Sequence, residues 1–319
     1  MLSVVIPFYN ESGNIAELFR RIDAVLSSHA PDYEVICVDD GSRDDTFARL
    51  LAAREQNGRI KLVRLSRNFG KEIALSAGLQ HARGEVVVTM DADLQHPPEL
   101  IPEFLARWRE GYQMVYAQRQ SATRETWLRT LFAKSFYWLF AKSSKLKLPK
   151  GAGDFRLLDR RVVDAINAMP ERTRFMKGLF AWVGFRQIGI PFVPPERFSG
   201  KSGFSFLRLG HFALDGMAAF STLPLRVWSL IGLLISSLAF AYGAYLAIRT
   251  IIYGIDLPGY ASVMVSILFI GGVQLIGLGV IGEYLGRVFE EVKCRPLYLV
   301  SESHGIDASD KRPGESAPL

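Results

Sequence analysis

The chain has 319 residues, more than one ordinary domain needs, and 49% of them are hydrophobic, a high share for a water-soluble protein. A formal charge of +6 suits an anionic partner such as phosphate, phospholipid or nucleic acid. The only two cysteines, Cys37 in an apolar run and Cys294 in a basic one, have neither metal-site spacing nor a disulfide framework, and they point to a reducing compartment.

In chain order, Leu2 to Pro7 reads as a first strand and Asn14 to Leu26 as a helix. Glu34 to Val38 is a second strand, after which Asp44 or Asp45 caps a helix running to Ala53. Lys61 to Leu65 forms a third strand, Lys71 to His81 a third helix and Val86 to Met90 a fourth strand. Strand and helix alternating at short intervals predict an α/β fold with a doubly wound, mostly parallel sheet. The front of the chain lacks a basic region followed by an apolar core, so this domain is expected in the cytoplasm.

The fourth strand runs into Asp91-Ala92-Asp93-Leu94-Gln95-His96-Pro97-Pro98-Glu99. Open α/β sheets bind ligands outside the carboxyl ends of their strands, where this segment falls. Asp91, Asp93 and Gln95 are hard oxygen donors, suited to Mg²⁺ or Mn²⁺ rather than zinc. Other loops end at the same edge. Pro7, Tyr9 and Glu11 follow the first strand; Asp39 and Asp40 follow the second. An aromatic ring there can stack on a base, and a carboxylate can accept hydrogen bonds from a ribose or a uracil N–H. No Gly-x-Gly-x-x-Gly opens a helix and no Gly-x-x-x-x-Gly-Lys-Ser/Thr occurs, which argues against a dinucleotide dehydrogenase and a P-loop NTPase. A metal-assisted nucleotide site remains.

The last third is apolar. Val227 to Ile248 and Leu257 to Gly282 are uncharged runs, each long enough to span a bilayer. Arg226 precedes the first, while Arg287, Lys293 and Arg295 follow the second, so the positive-inside rule puts both flanks in the cytoplasm. Gln274 is expected to face protein rather than lipid, and Gly271, Gly272, Gly277, Gly279 and Gly282 allow close helix packing. Trp127 to Phe140 and Phe204 to Phe220 mix apolar and basic residues in the manner of interfacial helices. These features divide the chain into a catalytic domain (1–200), a juxtamembrane amphipathic segment (201–226), a two-helix transmembrane region (227–289) and a cytoplasmic tail (290–319). Ser301 to Leu319, rich in Ser, Gly, Pro and charge, is expected to be disordered.

Several segments together resemble the family 2 glycosyltransferases of GT-A fold, and within them the polyprenyl-phosphate glycosyltransferases. The matching pieces are Val5–Glu11, Val38–Ser42, Ser66–Lys71, Asp91–Glu99, Gly153–Leu158, Gly200–Ser205 and Gly282–Arg287. The resemblance covers the chain to about Val300. It implies that Pro7, Tyr9, Glu11 and Asp39, with Asp40 and Lys71 beside them, hold the nucleotide sugar. It gives the divalent cation to Asp91, Asp93 and Gln95, and the donor diphosphate to Arg197 and Lys201. Arg119 and Arg129 become candidates for the acceptor phosphate, and Asp154 matches the position usually proposed as the base, with an orienting or metal-linked role of at least equal weight.

The implied reaction is inverting transfer of one sugar from a nucleotide sugar, UDP-glucose first, to polyprenyl phosphate at the cytoplasmic face of a bacterial plasma membrane. A lipid phosphate with a second pKa of about 6 is already anionic at neutral pH and needs positioning more than deprotonation. The expected partners are therefore the donor, the lipid acceptor and membrane lipid, without nucleic acid; a homo-oligomer stays open. GDP-mannose, UDP-N-acetylglucosamine or a UDP-aminoarabinose derivative are alternative donors. A processive polysaccharide synthase is disfavoured because no Gln-x-x-Arg-Trp motif is present. A non-catalytic scaffold would not need Asp91, Asp93 and Gln95 together.

Overall fold

A computed structural model describes residues 1–120, 149, 151–169, 171–172, 174–193, 195, 223–253 and 259–306. Arg129, Arg197 and Lys201, and the segments 127–140 and 204–220 expected at the interface, lie outside these residues. Chain contacts separate two units, one with the described residues of 1–210 and 295–306, the other with those of 223–294.

The first unit is built on one eight-stranded sheet. Its strands are β1 (Leu2–Phe8), β2 (Tyr33–Asp39), β3 (Ile60–Leu65), β4 (Val86–Thr89), β5 (Met114–Arg119), β6 (Ala152–Asp159), β7 (Gln187–Phe192) and β8 (Val300–His304), ordered β7-β5-β6-β4-β1-β2-β3-β8. The helices are α1 (Ile15–His29), α2 (Thr46–Gln56), α3 (Lys71–His81), α4 (Ile101–Arg109), α5 (Arg160–Asn167) and α6 (Met176–Trp182). Strands β1 and β2 are buried almost throughout, as continuous apolar runs covered on both faces should be. Val4, Val5 and Ile6 pack beside Val35 to Val38 and Val86 to Val88 as the centre of the core.

The α/β expectation holds, with a qualification on sheet direction. β1 pairs in parallel with β2 and β4, β2 with β3, and β5 with β7. β6, however, enters antiparallel between β4 and β5, and β8 runs antiparallel to β3. The reversal of β6 puts its first residues at the same edge as the ends of β1, β2, β4 and β5, so five strands deliver side chains to one place. The expectation of disorder from Ser301 onward is wrong for residues 301–304, which belong to β8. That segment is polar, but it covers the outer edge of β3, which would otherwise present unpaired backbone groups.

The second unit holds two long helices, α7 (Leu223–Tyr253) and α8 (Tyr260–Val292). Among the described residues one segment, Phe269–Val292, is long and apolar enough to cross a membrane, with mean hydropathy 1.4. It ends further along the chain than the expected Leu257–Gly282 span. Both helices expose large apolar side chains, among them Leu233, Leu238, Ile251, Leu275 and Leu285. A side chain at Gly277 would run into the Trp228 indole, so the absence of a Cβ there permits close packing of the two helices.

Candidate active site

The turn after β2 sorts its two acids into different tasks. Asp39 is almost fully buried; its Oδ1 accepts from the Ser42 N–H at 3.2 Å, and its Oδ2 has no hydrogen-bond partner among the described residues. Arg64 Nε stands 3.4 Å from that oxygen, close enough to offset charge. Burial pushes the Asp39 carboxyl up, against the pull of Ser42 and Arg64. Asp40 is equally buried but fully engaged, accepting from the N–H groups of Phe69 at 2.7 Å and Gly70 at 2.9 Å. It therefore anchors the loop that launches α3. Gly41 sits at φ 67°, where a Cβ would fall 2.6 Å from the Arg67 carbonyl carbon, so this turn admits only glycine.

The loop after β1 is tied to the same region. The Asn10 N–H donates to Ser42 Oγ at 3.0 Å and Glu11 N–H to Thr46 Oγ1 at 2.9 Å. Asn14 Nδ2 donates to Glu11 Oε2 at 2.6 Å, leaving Tyr9 as the exposed aromatic of the loop, 41% accessible, with Pro7 half-buried beneath it. Asn10 is left-handed at φ 55°, and so is Leu94 at φ 62° in the turn after β4. Each costs on the order of 1–3 kcal/mol, a strain that clusters where chains are shaped for ligands.

The anchored loop delivers Lys71 to the middle of the edge. Its Nζ donates to Asp154 Oδ2 at 2.6 Å and lies 2.7 Å from Asp91 Oδ1, joining the turn after β4 to the start of β6. Burial alone would push the Asp154 carboxyl up, but Lys71 and then Lys177 hold it well below the usual carboxylate range. Burial likewise works against the Lys71 charge, and Asp154 and Asp91 reverse that effect, keeping it protonated. Glu72, the next residue, goes the other way. Burial and the Asp154 charge raise its carboxyl to about 8, although Lys71 and Lys177 pull it down. Beneath the site Arg156 is 1% exposed, donating from Nε to the Gly153 carbonyl at 2.8 Å with its guanidinium 4.3 Å from the Phe180 ring. Burial lowers Arg156 only to about 10, so it remains a cation at neutral pH.

Asp91, Asp93 and Gln95 occupy one tight turn. The Asp91 N–H donates to His96 Nδ1 at 2.9 Å, and His96 stacks on Phe155 of β6 with ring centres 5.1 Å apart. The Gln95 N–H donates to Asp93 Oδ1 at 3.1 Å. Among the described residues no three His, Cys, Asp or Glu side chains converge as a ready-made metal cage. Magnesium-type ions need no such cage, since they commonly take one or two carboxylates and complete their shell with substrate phosphates and water. Two carboxylates and an amide on one turn fit that mode.

Beside this cluster lies a cavity of about 250 Å³ lined by Gln95, Arg119, Gly153, Phe155, Lys177 and Phe192, among others. Its wall includes the residues on either side of Asp154. Arg119 ends β5 and Lys177 lies in the first turn of α6, so two cations from separate elements line one space. Gly151, at φ 72°, takes the Arg119 N–H on its carbonyl at 2.9 Å and seats the end of that strand. The structure thus gathers Pro7, Tyr9, Glu11 and Asp39 at one end of the edge, and Lys71, Asp91, Asp93, Gln95, Asp154 and Arg119 at the other. Lys177, Glu72, His96 and Arg64 escaped the sequence reading. An acid in the first turn of a helix, as Glu72 is, normally signals only helix-dipole compensation, and nothing local marks Lys177.

Residues 3–166 match the family described as glycosyl transferase family 2, and residues 223–288 match the GtrB C-terminal hairpin. A glycosyltransferase of Synechocystis sp. is 56% identical over 306 residues, 96% of either chain. The SfII prophage-derived bactoprenol glucosyl transferase of Shigella flexneri is 42% identical over 303 residues, covering 95% of this chain and 98% of its own. A prophage bactoprenol glucosyl transferase homolog of Escherichia coli is 41% identical over 299 residues, 94% and 98% of the two chains. Among solved structures, a mannosyltransferase of Pyrobaculum calidifontis in complex with GDP-Man and Mn²⁺ superposes with a TM-score of 0.45 at 22% identity, over 77% of this chain and 80% of that one, too loosely to bear on chemistry. The chain belongs to glycosyl transferase family 2.

Proposed function

We propose that this glycosyltransferase moves one glucose from a nucleotide sugar, UDP-glucose, to polyprenyl phosphate with inversion at the anomeric carbon. The glucose and the lipid are suggested by the bactoprenol glucosyl transferases it resembles along nearly its whole length. The observation that carries the reading is the cavity with Arg119 and Lys177 in its wall, directly beside the Lys71-linked carboxylates. A phosphate monoester entering there meets two cations, which position an already anionic nucleophile.

Each side chain then has a task. Tyr9 stacks on the base, while Asp39 Oδ2, the free buried acceptor, takes a hydrogen bond from the nucleoside. Asp91, Asp93 and Gln95 hold Mg²⁺ or Mn²⁺, which when bound supplies positive charge against the charge developing on the leaving diphosphate. Lys71 adds a fixed cation at the same place. An effective general base has a pKa near the working pH, whereas Asp154 is held far below it by Lys71. Asp154 therefore serves as the orienting anion for Lys71. Arg129, Arg197 and Lys201 belong to the acceptor and diphosphate ends of this scheme.

The helices α7 and α8 are read as a membrane hairpin with the catalytic unit on the cytoplasmic side. Their exposed apolar side chains would otherwise form patches that a soluble protein avoids. Incubating membranes with radiolabelled UDP-glucose and undecaprenyl phosphate, then extracting lipid, tests the whole reading. Label in a mild-acid-labile lipid is expected. Label in a polymer, or hydrolysis with none in lipid, overturns it.

A further inference from the structure

The chain beyond α8 returns to the first unit and seals the outer edge of its sheet. Tyr298 is buried, with its hydroxyl donating to Gln80 Oε1 at 2.5 Å, and the Ser66 N–H donates to the Leu299 carbonyl at 2.9 Å. β8 then pairs with β3 so that Glu302 stands opposite Arg64, and Ser301 Oγ donates to the Arg64 carbonyl at 3.2 Å.

This register places a carboxylate where it reaches into the donor end of the site through one side chain. Arg64 Nη1 donates to Glu302 Oε1 at 2.9 Å, its guanidinium lies 4.3 Å from the Phe47 ring, and its Nε stops 3.4 Å from Asp39 Oδ2. Arg64 is thus held on its outer side by Glu302 and across its face by Phe47. From there it offsets the Asp39 charge while leaving Asp39 Oδ2 without a hydrogen bond. A guanidinium released from Glu302 would be free to form the bidentate pair that Arg and carboxylate favour. That pair would occupy the oxygen.

We infer that Glu302, on the C-terminal strand, is a positioning residue for donor recognition, restraining Arg64 so that Asp39 presents an open acceptor oxygen to the nucleoside. The inference rests on the reading of Asp39 as a nucleoside ligand. It makes β8 part of the donor site, although it lies more than 200 residues after β3 in the chain.

The test uses the full-length protein and titrates it with UDP and GDP, following whichever binds the wild type more tightly. Glu302→Ala is expected to raise that Kd about twofold to fivefold, the range of a partly exposed ion pair. The kcat at saturating donor and the KM for polyprenyl phosphate should not change. Glu302→Gln, which keeps an acceptor, should fall between. In an Arg64→Gln background, Glu302→Ala should have no further effect on Kd, since no guanidinium is left to restrain. A loss that persists in that background, or a lower Tm with unchanged Kd, overturns the inference. Asp39→Asn separates the two failures. If it leaves the nucleotide Kd unchanged, the nucleoside reading falls and the inference with it; if it weakens binding while Glu302→Ala does not, the inference alone falls.

Discussion

Lys71 donates to Asp154 Oδ2 at 2.6 Å, and through the same ammonium, 2.7 Å from Asp91, the first residues of β6 are tied to the turn after β4. Asp154 keeps only 13% of its side-chain surface, so removing its partner strands a charge. Breaking a buried pair costs about 3–5 kcal/mol, and the 43% exposure of Lys71 puts the expected loss for Lys71→Met below that, at about 1–3 kcal/mol. Activity should fall far more than stability. Lys71→Met with Asp154→Asn should regain stability in a double-mutant cycle while staying inactive. Strict additivity in Tm, or a Lys71→Met enzyme with normal kcat, would refute the clamp.

The adjacent acids Asp39 and Asp40 should separate cleanly. Asp39→Asn exchanges an acceptor for a mixed donor and acceptor, and should raise donor KM with little change in kcat. Asp40→Asn removes one of two backbone acceptors under Phe69 and Gly70. Each such bond is worth about 1.5–3 kcal/mol to a charged group. Its effect should appear in kcat, through displacement of Lys71, and in Tm. Donor and acceptor titrations of both variants, with thermal melts, check this. Identical profiles would mean that the two acids share one role.

If Asp93 holds the cation, Asp93→Asn should abolish turnover while leaving the melt of the apo protein little changed, since the amide oxygen can still accept from the Gln95 N–H. Excess chelator should silence the wild type, and Mg²⁺ or Mn²⁺ should restore it. The same ions should raise the Tm of the wild type in the presence of UDP and fail to do so for Asp93→Asn. Undiminished activity in excess EDTA counts against the assignment.

Glu72 gives a pH signature. Unfolded, its carboxyl titrates near about 4.3; folded, burial and Asp154 raise it to about 8. The folded state therefore binds the proton more tightly. The associated stability is complete below about pH 4 and is lost as pH rises through about 8. Glu72→Gln imitates the protonated form, and its side-chain oxygen can still accept from the Met176 N–H. Its Tm relative to wild type should climb from about pH 5 to about pH 8 and then level off. A difference constant across that window would mean that Glu72 titrates as an ordinary acid.

The legible parts of the molecule are those whose signal is local. β1 to β4 with α1 to α3 stand within a few residues of their expected places, because buried parallel strands are continuous apolar runs closed by turn residues. The turn Asp91–Gln95 lies where expected, directly after β4. The reversal of β6 and the docking of β8 left no such trace, since strand direction and partner are decided by contacts far along the chain. Glu302 and Ser303 look like tail residues until β3 is seen to need an edge partner. The anchoring of the α3 loop by Asp40 is not visible beside Asp39 in the sequence, because it depends on the Phe69 and Gly70 amides. Lys177 meets Arg119 only because α6 and β5 border one cavity.

That shared cavity carries the prediction that separates acceptor capture from chemistry. If Arg119 and Lys177 grip the lipid phosphate together, Arg119→Ala should weaken the acceptor far more than the donor. A charge-assisted hydrogen bond is worth about 1.5–3 kcal/mol, so the apparent acceptor affinity should fall about tenfold to a hundredfold. Lys177→Ala should act on the same substrate. Lys177 also helps hold the Asp154 charge, so its variant should lower kcat as well, which Arg119→Ala should not. Arg119→Lys should recover part of the loss, keeping the charge without the planar fork. If the two cations share one phosphate, the double variant should lose less than the sum of the singles. Donor binding, assigned in the proposed scheme to Tyr9 and Asp39 at the other end of the edge, should barely move. Kinetics with UDP-glucose and undecaprenyl phosphate varied in turn decide the matter. Equal losses for both substrates in Arg119→Ala, or none, would remove this cavity as the acceptor site.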